Sequence, residues 1–220
     1  MVDDIVVVGT GAFAEVVTEY FRRYAVGNVV AYACSPEFKT SERYAGLPLI
    51  DFDEMAVQFP PKSTKIFVAI GYRKMNSIRE KVFKEISGFG YEFVTFVHPN
   101  VILWDSTNIG RNCFIFEDNT IQPFTEIGDN TILWSGNHIG HHSRVGSNVF
   151  ISSHVVVSGS CTIGDNVFIG VNASFHDGVV VGDRSLIGAA AIVSRNVEQD
   201  SIISPLRTNV SEKKSFEVDF

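Results

Sequence analysis

The chain has 220 residues, 45% of them hydrophobic and 20% charged, which is typical of a soluble globular protein with one or two domains. A net charge of −7 without a long lysine or arginine run argues against a nucleic-acid-binding surface. The apolar run at 5–8 is too short to span a membrane and has no basic flank, so we expect a cytoplasmic protein. Three cysteines without C-x-x-C spacing argue against a disulfide framework or a cysteine zinc site.

Residues 1–97 alternate between strand and helix patterns. The runs DIVVVG, NVVAYA and KIFVAIG are typical of short buried strands, and YEFVTFV is a further one before the His98–Pro99 pair. Between them, AFAEVVTEYFRRYA and RKMNSIREKVFKEI have helical spacing. Strands separated by helices predict an α/β domain with a parallel sheet and helices packed against it.

From residue 97 onward an apolar residue recurs at every sixth position. All of these residues are Ile, Leu or Val except Phe175. Neither a helix nor a plain strand has this period, whereas a parallel β-helix of hexapeptide repeats does. The positions are Val97, Leu103, Ile109, Ile115, Ile121, Ile127, Leu133, Ile139, Val145, Ile151, Val157, Ile163, Ile169, Phe175, Val181, Ile187 and Val193.

Two further positions of the repeat have preferred residues. Glycine often follows the aliphatic residue, and we expect it at the corner of the coil, where a positive φ is tolerated. Small or modest side chains recur four places after the aliphatic residue, with Cys113 and Cys161 among them, which predicts interior packing positions. Three hexapeptides make one triangular coil, so 97–196 predicts about five to six coils.

The stretch GTGAFA at 9–14 follows the first predicted strand and opens the first predicted helix. Gly9 permits a tight turn, and Gly11 lets the backbone approach a phosphate at the helix N-terminus. Close strand–helix packing is the alternative explanation of these glycines. A full dinucleotide-binding domain is disfavoured because this part is too short and the second strand is followed by no acidic residue until Glu37.

The stretch NHIGHHSRVG at 137–146 contains His138, His141 and His142. A solvated turn, a metal site and a general base are the three interpretations. Zinc sites in β-helices of this kind use histidines in register two coils apart. The positions two coils beyond His138 and His141 hold Ser174 and Asp177, which argues against zinc here. Acyl transfer needs a group that removes a proton near neutral pH, a task to which imidazole is suited.

Five motifs together resemble the NeuD/PglD-like nucleotide-sugar acyltransferases, whose members act on bacillosamine-type and perosamine-type precursors. They are VVVGTGAFAEVV, VAIGYRKMNSIR, FVHPN, IGHHSRVG and VVVSGSCTIGDNVFIGVNA. The resemblance implies an α/β half-Rossmann domain followed by an all-β left-handed parallel β-helix. We place the nucleotide-sugar-binding domain at 1–97, the acyltransferase β-helix at 98–203 and a C-terminal tail at 204–220.

The resemblance also implies a function. The expected reaction is N-acylation of a nucleotide-linked amino-deoxysugar with acetyl-CoA or another acyl-CoA as co-substrate and without a metal, carried out by a homotrimer in lipopolysaccharide or O-antigen biosynthesis. The main alternative is a sugar O-acetyltransferase. Two further alternatives are a non-catalytic sugar-nucleotide-binding protein and a metal-dependent hydratase. We expect neither nucleic acid nor membrane as a partner.

Specific residues acquire roles through the same resemblance. His141 is the expected general base, and the N–H of Gly159, one coil further on, is expected to face the thioester carbonyl and to contact the cofactor. His154 and Ala189 are further expected cofactor contacts. The 3′-phosphate of CoA would take a cation from Arg184, Arg195, Arg207 or Lys213. The expected substrate-binding residues are Gly9, Gly11, Ala12, Phe13, Gly71, Tyr72 and His142.

Two positions depart from the family pattern. The family commonly has Asp or Glu after the catalytic histidine, where it orients the imidazole, but this chain has His142. The family often has Gly-His-Gly in the first loop, where this chain has Ala12, Phe13 and Ala14. The sequence therefore leaves open what orients His141 and which nucleotide is bound.

Overall fold

The computed structural model describes residues 3–205, 212 and 214–217. Within them an α/β part precedes a parallel β-helix, as the two sequence patterns predict. No helix in the described part of the chain combines the length and the apolar character needed to cross a membrane.

The α/β part contains β1 (Asp4–Val8), α1 (Ala12–Arg23), β2 (Asn28–Cys34), β3 (Arg43–Tyr44), β4 (Leu47–Asp51), α2 (Phe52–Gln58), β5 (Thr64–Val68), α3 (Ser77–Ser87) and β6 (Glu92–Phe93). Its six-stranded sheet has the order β3-β4-β2-β1-β5-β6 and is parallel except for β3. The strands predicted at DIVVVG, NVVAYA and KIFVAIG and the first predicted helix are confirmed. The prediction of one strand at YEFVTFV is wrong, because this stretch divides between β6 and a strand at Phe96–Val97 that joins the β-helix. The hairpin β3–β4 and helix α2 are not apparent from the apolar periodicity.

Helix α3 begins later than its sequence pattern predicts. Lys74, Met75 and Asn76 have φ values of 50°, 52° and 62°, which belong to the left-handed region and cannot continue a right-handed helix. The prediction that the helix includes residues 73–76 is therefore wrong. These residues instead form a turn that directs Asn76 and the first turn of α3 toward the β-helix.

The β-helix consists of two-residue strands in three parallel sheets, and paired strands from β7 to β23 are 18 residues apart. The predicted eighteen-residue coil is therefore confirmed. The first sheet contains β7 (Phe96–Val97), β10 (Phe114–Ile115), β13 (Ile132–Leu133), β16 (Phe150–Ile151), β19 (Phe168–Ile169), β22 (Leu186–Ile187) and β24 (Ile202–Ile203). The second contains β8 (Ile102–Leu103), β11 (Thr120–Ile121), β14 (His138–Ile139), β17 (Val156–Val157), β20 (Ser174–Phe175) and β23 (Ile192–Val193). The third contains β9 (Asn108–Ile109), β12 (Glu126–Ile127), β15 (Arg144–Val145), β18 (Thr162–Ile163) and β21 (Val180–Val181).

The interior of the β-helix is filled by the residues that the repeat predicts, except in the first coil, where Leu103 is 42% exposed. The sixth-position residues from Ile115 to Val193 form one buried cluster, in which Phe175 is 2% exposed. Cys113 and Cys161 also lie in this cluster. Each coil therefore removes its aliphatic side chains from water by stacking on its neighbours, which is the main source of stability for such a repeat.

The glycine that follows the aliphatic residue has a different role from the one expected. Its φ is not positive, and the positive φ instead falls two residues later, on residues such as Asn130, His142 and Asn148. The glycine is required by close approach, because a Cβ on Gly140 would lie 2.5 Å from the Gly159 nitrogen of the next coil. The expectation of a positive φ at these glycines is therefore wrong, and coil stacking is the physical reason for them.

The α/β part packs on the outer face of the first sheet. The outward side chains of that sheet, Phe114, Phe150 and Phe168 among them, belong to a cluster shared with helix α1. Tyr20 of α1 contacts Phe96, Phe114 and Phe116 edge to face. One face of the triangular prism is thus covered within the chain, while the vertex between the other two sheets points away from the α/β part.

Candidate active site

A cavity of about 560 Å³ opens at the carboxyl ends of β1 and β5, lined by the glycine-rich turn and by the loop after β5. This is where open parallel sheets bind ligands. Gly11 is the N-cap of helix α1 and provides no side-chain cap, so the first N–H groups of the helix can donate to an anion at the positive end of the helix dipole. The structure brings together here six of the predicted substrate-binding residues: Gly9, Gly11, Ala12, Phe13, Gly71 and Tyr72.

The glycines of this cavity differ in whether packing within the chain excludes a side chain at their positions. Gly9 has φ +131°, and a Cβ on it would lie 2.7 Å from the carbonyl oxygen of Ala69, so close packing of β1 on β5 accounts for it. A Cβ on Gly11 or Gly71 would meet no atom within 4 Å. The packing of the described chain does not explain these two glycines, whereas close approach of a ligand would.

Arg73 is a cavity residue that the sequence reasoning did not single out. It lies in the loop after β5 and is the one charged residue among the described residues that line the cavity. The motif VAIGYRKMNSIR contained the signal, because it places an arginine in the loop after a buried strand and a guanidinium can bind phosphate through two hydrogen bonds.

His141 lies on the turn between β14 of the second sheet and β15 of the third. Its backbone N–H donates to Gln122 Oε1 at 2.9 Å, which ties the turn to the preceding coil. A Cβ on Gly159 would lie 2.8 Å from Cε1 and 2.9 Å from Nε2 of the His141 ring. The imidazole is therefore exposed to solvent on one side and rests against Gly159 on the other.

His142 contacts the ring of His141 directly. The two Nδ1 atoms are 3.1 Å apart, a hydrogen-bond distance in which one ring donates and the other accepts. His142 has φ +57°, and its ring centroid lies 4.8 Å from that of Phe124. Its side chain is thus held beside His141, at the place where a carboxylate was expected.

Gly159 does not present a free N–H. This group donates to Asp177 Oδ1 at 2.8 Å, so in the described chain it already has an acceptor at the place where the thioester carbonyl was expected. The bond belongs to a recurring pattern, because the Arg111 and Ser147 amides bond in the same way to Asp129 and Asp165, each 18 residues further on. The absence of a side chain at Gly159 is what makes room for the His141 ring.

His154 and Ala189 lie on a different vertex from His141. Both follow strands of the first sheet and precede strands of the second, and both are exposed. His154 packs against Gly136 of the preceding coil. Trp134, two residues before Gly136, has its ring centroid 6.4 Å from that of Phe13 in the cavity loop. This vertex therefore adjoins the cavity of the same chain. The His141 vertex lies opposite the first sheet, which is the face that the α/β part and its cavity cover.

The basic residues expected at the CoA phosphate are partly paired and partly outside the described residues. Arg184 pairs with Asp200 through Nε at 2.6 Å and Nη2 at 2.8 Å, so its charge is engaged. Arg207 and Lys213 lie outside the described residues. Within residues 3–205, 212 and 214–217, no group of three or more His, Cys, Asp or Glu is arranged to hold a metal ion.

Two family models match the chain. Residues 4–86 match the PglD N-terminal domain, and residues 124–159 and 160–195 match the bacterial transferase hexapeptide repeats. The search of curated proteins found no significant match to the sequence.

Solved structures reproduce the fold over nearly the whole chain. A mutant of perosamine N-acetyltransferase from Caulobacter crescentus, in complex with CoA and GDP-perosamine, has TM-score 0.83 at 22% identity, covering 97% of this chain and 99% of its own. The acetyltransferase domain of PglB from Neisseria gonorrhoeae has TM-score 0.80 at 21% identity, with 92% and 96% covered. WeeI from Acinetobacter baumannii has TM-score 0.79 at 17% identity, with 91% and 96% covered.

The order of the two matched models agrees with the order of the two parts of the structure, and the fold is the left-handed β-helix preceded by an α/β domain. The chain therefore contains a PglD N-terminal domain followed by bacterial transferase hexapeptide repeats.

Proposed function

We propose that the protein transfers an acyl group from acetyl-CoA to the amino group of a nucleotide-linked amino-deoxysugar. The observation that carries the proposal is that one chain contains both an exposed His141 ring, seated on Gly159, and a nucleotide-sized cavity at the glycine-rich turn. The Caulobacter structure of the same fold is described as a complex with CoA and GDP-perosamine, which supports this substrate class.

The cavity supplies the chemistry that a nucleoside diphosphate needs. The first amides of α1 and the guanidinium of Arg73 would bind the diphosphate, since a helix N-terminus and an arginine both favour phosphate oxygens. Phe13, Phe38 and Tyr72 offer aromatic surface for the base. Gly11 and Gly71 leave room for the ligand to approach the backbone.

His141 would act as general base for direct transfer. Its Nε2 takes a proton from the sugar amine as the nitrogen attacks the thioester carbonyl, and the C–N bond forms. When the tetrahedral intermediate collapses, the C–S bond breaks and the thiolate of CoA takes the proton from His141. An oxyanion contact from the Gly159 N–H requires Asp177 to move away, because the two are bonded in the structure.

His142 is the group proposed to orient the base. With His141 protonated on Nδ1, that N–H donates to Nδ1 of His142, which leaves Nε2 of His141 free as acceptor. His142 would thus replace the carboxylate that accepts this bond in a typical acid–histidine pair.

A homotrimer is proposed because one chain alone separates the two halves of the site. The cavity lies over the first sheet, and His141 lies on the vertex between the second and third sheets. A second copy that places its His141 vertex beside the His154–Ala189 vertex would complete the site, with CoA in the groove between them. Cyclic symmetry then gives three equivalent sites.

The test is release of free thiol from acetyl-CoA in the presence of UDP-, GDP- and dTDP-linked amino sugars. We expect release with at least one of them and a rate loss of about 10²-fold or more in His141→Asn. Release only with matched nucleotide sugars that carry a hydroxyl in place of the amino group, assayed in parallel, would favour O-acetylation instead. A His141→Asn variant at the full wild-type rate would contradict the assignment of the base.

A further inference from the structure

Arg79, in the first turn of α3, is fully buried where the α/β part meets the β-helix. Burial of a cation is costly unless its donors are satisfied. Burial lowers the pKa of Arg79 to about 9, so the guanidinium remains charged at neutral pH. Among the described residues no carboxylate bonds to it, and all of its acceptors are neutral oxygens.

The guanidinium joins two regions that are far apart in sequence. Toward the β-helix, Nε donates to the carbonyl of Asn130 at 3.2 Å, and Nη2 donates to those of Asn148 at 3.0 Å and Val149 at 3.2 Å. These acceptors lie on two successive coils, which also contain the turn of His141.

On its other side the same group holds the loop after β5. Nη1 donates to the carbonyl of Gly71 at 3.2 Å and to Asn76 Oδ1 at 3.0 Å. Gly71 lines the cavity, and the next residue, Tyr72, has its ring centroid 4.7 Å from that of Phe150 on the first sheet. The loop that forms one wall of the cavity is thus fixed to the β-helix through its backbone by Arg79 and through its side chain by Tyr72.

We propose that Arg79 is a positioning residue for the nucleotide-sugar substrate, which sets the Gly71–Tyr72 wall of the cavity at a fixed distance from the coils of the β-helix. The proposal rests on the proposed function for the identity of the ligand. The planar guanidinium suits this task because its five N–H groups serve acceptors on both sides at once, whereas a lysine offers three donors on one nitrogen.

The experiment compares Arg79→Lys and Arg79→Met with wild type by calorimetry, using UDP, GDP and dTDP as one set of probes and acetyl-CoA as the other. We expect Arg79→Lys to weaken binding of the preferred nucleotide about tenfold while the acetyl-CoA Kd changes less than about twofold. Tyr24→Phe is the matched control, since it removes the 2.6 Å contact with His98 Nε2 at the same interface and does not touch the cavity loop. It should leave both affinities unchanged.

A second measurement needs no ligand. Amide hydrogen exchange of 70–74 should accelerate in Arg79→Lys, while the coils around 126–160 keep the wild-type protection. If Arg79→Met does not fold, Arg79→Lys decides the question. Equal losses for nucleotide and acetyl-CoA, or an unchanged nucleotide affinity, would overturn the proposal. If the wild type binds none of the nucleotides, the proposed function fails, and the exchange experiment still decides whether Arg79 holds the loop.

Discussion

At the scale of single residues, the conformation of the His141 ring depends on the missing side chain at Gly159 and on the imidazole of His142. Gly159 has no side chain, and the His141 ring occupies the space where a Cβ would stand. His142 occupies the position expected for a carboxylate and contacts His141 through Nδ1. The sequence identified both positions, but it could not show that the Gly159 amide is bonded to Asp177, because that bond depends on the rotamer of a side chain one coil away.

The role of His142 is tested by His142→Ala. Alanine is tolerated at positive φ in this fold, as at Ala190 with φ 56°, so the turn should persist. Loss of the acceptor for the His141 Nδ1–H should lower kcat about tenfold or more, with an unchanged KM for acetyl-CoA. His142→Asp should retain most of the rate, because a carboxylate accepts the same bond.

The control for that series is Val57→Ala, which shortens a side chain that is 83% exposed on helix α2 and belongs to neither the His141 turn nor the cavity lining. It should have the wild-type kcat. Equal rates for His142→Ala and wild type, measured by thiol release under saturating substrates, would exclude an orienting role for His142.

At the scale of elements, helix α1 is fastened to the β-helix through Glu117. Tyr20 donates to Glu117 Oε2 at 2.8 Å, and Ser135 donates to Oε1 at 2.7 Å. Burial acts to raise the pKa of Glu117, but the bonds from Ser135 and Tyr20 outweigh it and lower the pKa below 4.5. Burial and the bond to Glu117 raise the pKa of Tyr20 to about 12.

This contact predicts a specific dependence of stability on pH. The folded state lowers the pKa of Glu117, so its contribution is present above pH 4.5 and is lost as the pH falls through the lower folded value. The contribution of Tyr20 is present below pH 10 and is lost as the pH rises toward 12. Glu117→Gln should therefore cost about 1 kcal/mol of unfolding free energy at pH 7 and less in acid.

Urea unfolding at fixed protein concentration between pH 3 and 7 measures this difference, with Glu19→Gln as control. Glu19 pairs only at the surface of the same helix, with Arg22, so the expected change there is about 0.5 kcal/mol or less. A difference between Glu117→Gln and wild type that does not shrink in acid would show that Glu117 is not ionised in the contact.

At the scale of the whole molecule, the geometry of the prism separates the proposed base from the cavity. The α/β part covers one face, and His141 lies on the opposite vertex. The proposed function therefore calls for a site that combines two copies of the chain, and the proposed trimer would have a mass of about three times 24.3 kDa.

Mixed oligomers test this arrangement. His141→Asn and Gly11→Leu should each be inactive alone, the latter because its side chain fills the open space at Gly11 in the cavity. Co-expressed, they should recover about a quarter of the wild-type rate, since random assembly pairs an intact cavity with an intact base at that frequency. Separately purified trimers mixed without subunit exchange should remain inactive. No recovery in the co-expressed sample would place both halves of the site in one chain.

The repeat and the local patterns were sufficient for much of the architecture. The period of six fixed which side chains fill the β-helix, because an interior position must be apolar in every coil. Strands β1, β2 and β5 and helix α1 were readable because their burial produces strong apolar patterns. The hairpin β3–β4 and helix α2 were not, since these short elements are stabilised by the sheet they join.

By itself, the sequence determined the two-part organisation, the eighteen-residue coil, the glycine-rich turn and the position of His141, because each is a property of neighbouring or regularly spaced residues. Only the tertiary structure decided that the coil glycines serve close stacking, that Arg79 joins the cavity loop to the β-helix, and that His141 lies on the vertex opposite the cavity. The physical reason is that these relations depend on distances between residues far apart in the chain, which are set by side-chain packing and hydrogen bonding across the folded interface.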